Sequence, residues 1–317
     1  MERTVVIWLA VLLDWAIGDP RWRVHPVRLM GQVIAALERP ARFVGRRPWS
    51  LRLAGGLTVA VVVGGSYLLP WWFLQWLMSR HSWLALVLEA TLIAGAVAAR
   101  SLGEAATAVY QRLAAGDLPG ARIAVSELVA RDTEHLTPEE VVRAAVETVA
   151  ENTVDGVTAP FFYALLGGAP LALAYRAVNT LDSMWGYRDE RYRDLGWCAA
   201  KLDDLANYLP ARLTGLLLCL LAGLGGFSGK RAWEVLRRDA RRHPSPNSGF
   251  PEAAVAGALG IRLGGVNRYR GKEEFRPYLG EPLEPPDKAH ILKAVRLMCR
   301  TALCFPAAGT ALLLLFR

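Results

Sequence analysis

The chain has 317 residues, 53% of them hydrophobic, and its 37 Lys and Arg outnumber 29 Asp and Glu for a formal charge of +8. Mean hydropathy is +0.23, and the apolar residues gather in long runs, which excludes an ordinary soluble domain and marks membrane spans. The basic excess excludes a nucleic-acid binder as the leading reading. It flanks apolar runs, as at Arg39, Arg42, Arg46, Arg47 and Arg52, where the positive-inside rule puts it, and no nucleic-acid-binding motif accompanies it.

Apolar runs at 2–18, 53–78, 83–99, 157–178, 211–227 and 297–316 predict membrane segments. The first carries Asp14 and lacks a small-x-small cleavage pattern, so it is read as a retained span rather than a signal peptide. Trp71, Trp72, Trp76 and Trp83 surround the short link Ser79-Arg80-His81-Ser82, as an interfacial belt does. This makes 53–78 and 83–99 a hairpin with its turn on the outer side.

Three segments are polar: 19–52, rich in Arg and Pro; 100–156, helical in pattern; and 228–296, long, basic and punctuated by Gly and Pro. Charge assigns all three to the cytoplasm. Segments 157–178 and 211–227 then either both cross, leaving 179–210 outside, or are both re-entrant. Pro160, Gly167, Gly168 and Pro170 permit a broken helix, which tips the reading toward re-entrant segments with 179–210 against the cytoplasmic side. No good period-2 pattern is present. The expected fold is therefore all-α: a polytopic integral membrane protein with about 4–6 apolar segments and helical cytoplasmic loops, residues 1–317 forming one membrane-embedded domain. Cys198, Cys219, Cys299 and Cys304 form no CxxC pair, and neither disulfide nor zinc site is expected.

Five polar constellations interrupt this pattern. Asp14-Trp15-Ala16-Ile17-Gly18-Asp19-Pro20 is followed by His25-Pro26-Val27-Arg28, and an acid within an apolar span is a functional-site candidate by default. Thr137-Pro138-Glu139-Glu140 reads as a capping box. The helix it opens aligns Glu147 with Glu151, a repulsive spacing unless a cation intervenes. Arg143 is a local partner for Glu147, while Asn152 and Asp155 complete an oxygen-rich cluster suited to Mg²⁺. Asn179 and Asp182 share a helix face. In Lys201-Leu202-Asp203-Asp204 the Lys suits a phosphate and the carboxylates a metal. The most distinctive stretch is His243-Pro244-Ser245-Pro246-Asn247-Ser248-Gly249-Phe250-Pro251-Glu252. Pro251 opens a helix whose start is an anion site, and the small residues that follow permit close helix approach. Gly264-Gly265 and Tyr269-Arg270-Gly271-Lys272 extend it as a ligand-binding loop.

These pieces resemble the adenosylcobinamide-phosphate synthase family of cobalamin biosynthesis. D-W-x-x-G-D-P at 14–20, H-P-V-R at 25–28, E-T-V-A-E-N-x-x-D-G at 147–156, N-T-L-D-S-M-x-G at 179–186, K-L-D-D at 201–204 and S-P-N-S-G-x-P-E-A at 245–253 occur in family order across the chain. The resemblance implies an ATP-dependent ligase of the bacterial cytoplasmic membrane. It joins adenosylcobyric acid to aminopropanol phosphate or ethanolamine phosphate, with Mg²⁺ and a cytoplasm-facing site. Under it, Glu147, Asp155, Asp182 and Lys201 are assigned catalysis, and Glu147, Glu151, Asp203 and Asp204 the metal. Asp19, His25, Arg28, Asn152, Asn179, Asn247, Ser248 and Glu252 hold substrate and phosphate. Partners are the corrinoid and the amino-alcohol phosphate, the lipid bilayer, and a second copy or later cobalamin-pathway membrane enzymes. No GxxxxGK[ST] loop is present, so the ATP site is of another type. The rivals are a transporter with a polar intramembrane path and a CDP-alcohol phosphotransferase-like enzyme; for the latter, the Ala-Arg that should follow Asp155-Gly156 is absent.

Overall fold

The computed structural model describes residues 2–18, 25–44, 47–187 and 189–316. In chain order the helices are α1 (Glu2–Ile17), α2 (Pro26–Val44), α3 (Pro48–Met78), α4 (Ser82–Ala94), α5 (Ala99–Ala114), α6 (Leu118–Ser126) and α7 (Pro138–Thr153). A π-helical turn (Val154–Thr158) joins α7 to α8 (Ala159–Trp185), followed by α9 (Trp197–Ala206), α10 (Tyr208–Leu224), α11 (Gly229–Asp239) and α12 (Gly249–Leu259). A hairpin of β1 (Leu263–Tyr269) and β2 (Lys272–Leu279) precedes α13 (Ala289–Leu315).

The protein is an all-α polytopic membrane protein. Four helical stretches among the described residues are long and apolar enough to cross a bilayer: Pro48–Met78, Ser82–Ala114, Pro138–Trp185 and Ala289–Leu315. The pair α9 and α10, bent by 44°, makes a fifth if counted as one broken span. α1, at 16 residues, is shorter than the roughly 20 residues a span needs. In Pro138–Trp185 the apolar window is 72% buried, against 28% in Pro48–Met78. The first therefore runs among other helices, while the second turns most of its surface outward.

The chain forms two compact units. The first comprises 1–98, 159–207 and 306–317, the second 99–158 and 208–305. The polar segments 100–156 and 228–296 thus both fall within the second unit.

In the first unit α3 and α4 form the expected hairpin, and α8 packs on α1, α2, α3, α4 and α9. α8 is broken where its composition foretells it, with non-helical backbone at Gly167 and Gly168. Gly168 has φ +69° and ψ −160°, a region open essentially to glycine alone. The break frees backbone groups that a membrane interior leaves without water. Arg3 donates to the carbonyls of Leu165 (3.4 Å) and Leu166 (3.0 Å), and the Glu89 carboxylate accepts from the Ala169 N–H (3.4 Å). The intramembrane Glu89 is therefore a helix cap.

In the second unit α7 opens with the expected capping box: Glu140 N–H donates to Thr137 Oγ1 (3.3 Å) and Thr137 N–H to Glu140 Oε2 (2.8 Å). From Val141 to Ala150 every residue of the helix but Arg143 is buried, and it packs against α5, α6, α12 and β1. α12 lies against α11 and α10, and a side chain at Gly257 would strike the backbone of Arg231 and Ala232. The run of small residues after Pro251 is thus a close helix contact.

The hairpin corrects the sequence reading at 263–279, where a ligand-binding loop was expected. β1 and β2 pair antiparallel with Val266 opposite Phe275 and Tyr269 opposite Lys272, and the register is irregular between Leu263 and Gly265. Lys272-Glu273-Glu274 has no strand propensity and Pro277 argues against a ladder, so alternation is not visible. Arg270 (φ +50°) and Gly271 (φ +78°) take the left-handed conformation that a tight type I′ turn requires.

Gly168→Ala is expected to destabilise the protein by at least about 1–2 kcal/mol, because the new Cβ meets a left-handed backbone and the Glu89 carboxylate. Thermal unfolding in detergent checks this. Gly64→Ala, whose Cβ meets nothing within 4 Å, is the control and should not lower stability.

Candidate active site

The second unit gathers Glu147, Glu151, Ser248, Asn247 and Glu252 around the facing ends of α7 and α12. Glu147 is 3% exposed, and both its oxygens are engaged. Arg131 Nη2 donates to Oε2 (2.5 Å) and the Gly264 N–H to Oε1 (2.8 Å). Arg131 also donates from Nη1 to Asn267 Oδ1 (2.8 Å). Arg143, the expected partner of Glu147, instead donates to the carbonyls of Gly264 and Val266 and to Asn267 Oδ1. The cation that relieves the Glu147–Glu151 repulsion comes from the segment before α7.

One turn further on, Glu151 Oε1 accepts from Ser248 Oγ (2.9 Å), and Ser248 Oγ lies 3.1 Å from Ser245 Oγ. Ser248 thus ties α7 to the start of α12. Asn247 Oδ1 accepts from Arg212 (3.2 Å), whose guanidinium lies between the rings of Tyr208 and Phe250.

Glu252 is buried on α12 beside this group, 3.6 Å from His243 Nε2. Burial, reinforced by Glu147 and Glu151, holds its carboxyl well above the usual carboxylate range, and Arg276 and Arg131 oppose the shift only in part. The imidazole of His243 is buried as well, and desolvation lowers its pKa. Its Nδ1 accepts from the Ser245 N–H (3.0 Å), which places the proton of the neutral ring on Nε2. Neither His243 Nε2 nor Asn267 Nδ2 has a hydrogen-bond partner among the described residues. Buried orphans of this kind call for an explanation such as a ligand group.

Asn152 folds back on its helix, donating to the Thr148 carbonyl (3.0 Å). Asp155 sits in the π-helical turn, a distortion frequent at functional sites.

In the first unit a second network forms around Asp203. Asn179 donates to its Oδ1 (3.4 Å) and Asn207 to its Oδ2 (3.0 Å). Tyr175 donates to Asn207 (2.8 Å) and Arg176 to Asn179 (3.2 Å). The helical spacing of Asp203 and Asn207 places them on one face. Lys201 meets Asp204 at 3.4 Å, both partly exposed, a pair of small energetic weight. Asp182 lies near the end of α8, while His25, buried, and Arg28, exposed, lie at the start of α2. Asp19 falls outside the described residues.

Sequence reasoning missed Arg131, His243, Asn267 and Arg276. His243 stood in the motif but without a partner, and Arg131 lies 16 positions from Glu147, beyond any local spacing rule. Among the described residues no group of three or more His, Cys, Asp and Glu side chains can hold a metal. Of the residues assigned to Mg²⁺, Glu147 takes one bond on each oxygen, from Arg131 and Gly264, and Asp203 one on each from an amide.

Fold and site together define a polytopic helical membrane protein whose polar unit encloses a network of carboxylates, arginine and histidine. The chain matches the CobD/Cbib protein family over residues 7–298 and belongs to that family. It is 50% identical over 297 residues, 94% of this chain and 92% of the relative, to the cobalamin biosynthesis protein CobD of Geobacter metallireducens. It is 48% identical over 296 residues, 93% of each chain, to CobD of Klebsiella pneumoniae. With CbiB of Salmonella typhimurium the identity is 46% over 296 residues, again 93% of each chain. No solved structure matches the chain significantly. Its role lies in cobalamin biosynthesis.

Arg131→Met strands a buried carboxylate, so a loss of about 3–5 kcal/mol is expected. Arg131→Met/Glu147→Met should recover most of it, as a double-mutant cycle of chemical unfolding measures. Additive losses would mean the two residues are not coupled.

For Glu252 the folded-state pKa lies above the unfolded value of 4.5. Its stabilising effect is therefore complete below pH 4.5 and is lost as pH rises through the folded value, by about 1.4 kcal/mol per pH unit. Glu252→Gln keeps the neutral shape and removes this loss. Its stability relative to the parent should climb as pH rises above 4.5 and level off once the folded value is passed; a constant difference would contradict the raised pKa.

Proposed function

We propose that the chain is an ATP-dependent carbon–nitrogen ligase of the bacterial cytoplasmic membrane, with its site facing the cytoplasm. It joins adenosylcobyric acid to aminopropanol phosphate or ethanolamine phosphate and gives adenosylcobinamide phosphate. The observation that carries the reading is the group of two buried carboxyls, Glu147 and Glu252, with the half-buried Glu151 and His243 beside them, in the polar unit of a CobD/CbiB chain. Amide formation needs an activated carboxyl, a base for the amine and donors for developing oxyanions. ATP, when bound, supplies the activation by phosphorylating the corrin carboxylate. Magnesium belongs to the proposal as the nucleotide's counter-ion and is given no protein-only centre.

The chain's own groups fill the remaining roles. Glu151, oriented by the Ser248 hydroxyl, is a carboxylate able to take the amine proton; Asp155 is a further acceptor. Glu252, pushed toward its neutral form by burial, donates a hydrogen bond as an uncharged acid. The Nε2–H of His243 offers a second donor. The amides of Asn152 and Asn247 orient phosphate and substrate. Glu147 acts through Arg131, which it fixes in place.

The transporter reading keeps one observation in its favour, the break in α8 with Arg3 and Glu89 at its two sides. Transport leaves the corrinoid chemically unchanged, so one assay separates the two. Purified protein in nanodiscs is given adenosylcobyric acid, aminopropanol phosphate and MgATP, and product is followed by mass spectrometry. Glu151→Gln retains an acceptor for Ser248 but loses the base, so turnover should fall at least about 100-fold with unfolding unchanged. No product from the parent protein would defeat the ligase reading.

A further inference from the structure

A second concave site lies in the same unit, between α6, the segment that follows it and the tip of the β hairpin. Its volume is about 860 Å³, and its lining includes Arg122, Arg131, Arg268 and Arg270 against Asp132 and Glu134, with the hydroxyl of Thr133 and the imidazole of His135. That volume is in the range of small-molecule sites, and guanidinium groups outnumber carboxylates two to one. We infer that this cleft binds the phosphate of a phosphorylated substrate through Arg131, Arg268 and Arg270.

Three observations make the cleft a built site rather than a charged surface. Arg131 is 7% exposed and is clamped between Glu147 and Asn267, so its guanidinium is fixed before any ligand arrives. The hairpin tip is fixed as well. Asp132 accepts from the N–H groups of Arg270 (3.0 Å) and Gly271 (2.7 Å), and its own N–H donates to the Arg268 carbonyl (2.7 Å). Arg270 is the one non-glycine among the described residues with positive φ, a turn position where Asn or Gly is favoured. An arginine held there against backbone preference presents its side chain at the rim of the cleft.

The chemistry favours phosphate. A guanidinium fork matches the oxygens of a phosphate in a bidentate way, and four arginines line a space far larger than a simple ion; Arg268 also pairs with Glu273 (2.9 Å) and Arg122 donates to the Leu136 carbonyl (2.8 Å). Arg131 lines the cleft and also bonds Glu147, so an anion held there lies one side chain from the carboxylate network. The ligase reading supplies only the two probes, ATP and the amino-alcohol phosphate; the cleft itself rests on its lining.

The test titrates full-length protein in nanodiscs with a non-hydrolysable ATP analogue with magnesium, and separately with aminopropanol phosphate, by calorimetry. Arg268→Ala/Arg270→Ala should weaken one probe by at least about ten-fold, and the probe affected names the occupant. Both residues are exposed at the end of the hairpin, and the one ion pair lost, Arg268–Glu273, is itself exposed and of small energetic weight, so the unfolding temperature should match the parent's and exclude misfolding. Intact, arginine-dependent binding in a protein that forms no amide would remove the ligase reading and uphold the cleft. Equal affinity of parent and variant for both probes, or binding of neither probe to the parent, overturns the inference.

Discussion

The buried carboxylate of Glu147 is the constraint on which the polar unit depends. A charge removed from water is tolerated only when fully paired and hydrogen-bonded. Glu147 meets that condition by taking one bond from a guanidinium before α7 and one from a backbone N–H at the base of the hairpin. Three segments distant in sequence are thereby locked by one side chain. Asn267 repeats the device: its carbonyl oxygen receives both Arg131 and Arg143, fastening β1 to the same two elements.

The same principle acts in the membrane helices with the backbone in place of a charge. Gly167 and Gly168 break α8, and hydrocarbon surroundings offer no water to the freed groups. Arg3 and Glu89 supply the missing donor and acceptor. An ionisable residue in an apolar span thus has a structural task, and the functional reading of such residues shifts to the polar unit.

Within that unit the electrostatics are graded. Glu147 is a paired carboxylate and Glu151 is hydrogen-bonded to a hydroxyl. Glu252, beside both, is pushed toward its neutral form by burial and by their charge. Neighbouring carboxyls whose environments differ this much can divide proton acceptance and donation between them. The small residues of α12 bring it close enough to α11 and α7 for this arrangement to form.

Much of the fold was legible in the chain. Long apolar runs, the capping box at Thr137 and the Gly/Pro break at 167–170 are local signals, each set by one helix and its solvent, and each appears where its residues stand. The hairpin at 263–279 was not legible, because its strands are held by Arg143 and Glu147 rather than by their own alternation. The site divides in the same way. Glu147, Glu151, Asn247, Ser248 and Glu252 stand out by residue type and spacing, whereas Arg131, which pairs with Glu147, Asn267, which holds Arg131, and His243, which faces Glu252, do not. Sequence by itself determined the membrane class, the helices and the acidic inventory, since periodicity and hydropathy act over a few turns. Only the tertiary structure decided which cation neutralises which carboxylate, because pairing a buried charge is a matter of through-space distance that no local pattern encodes.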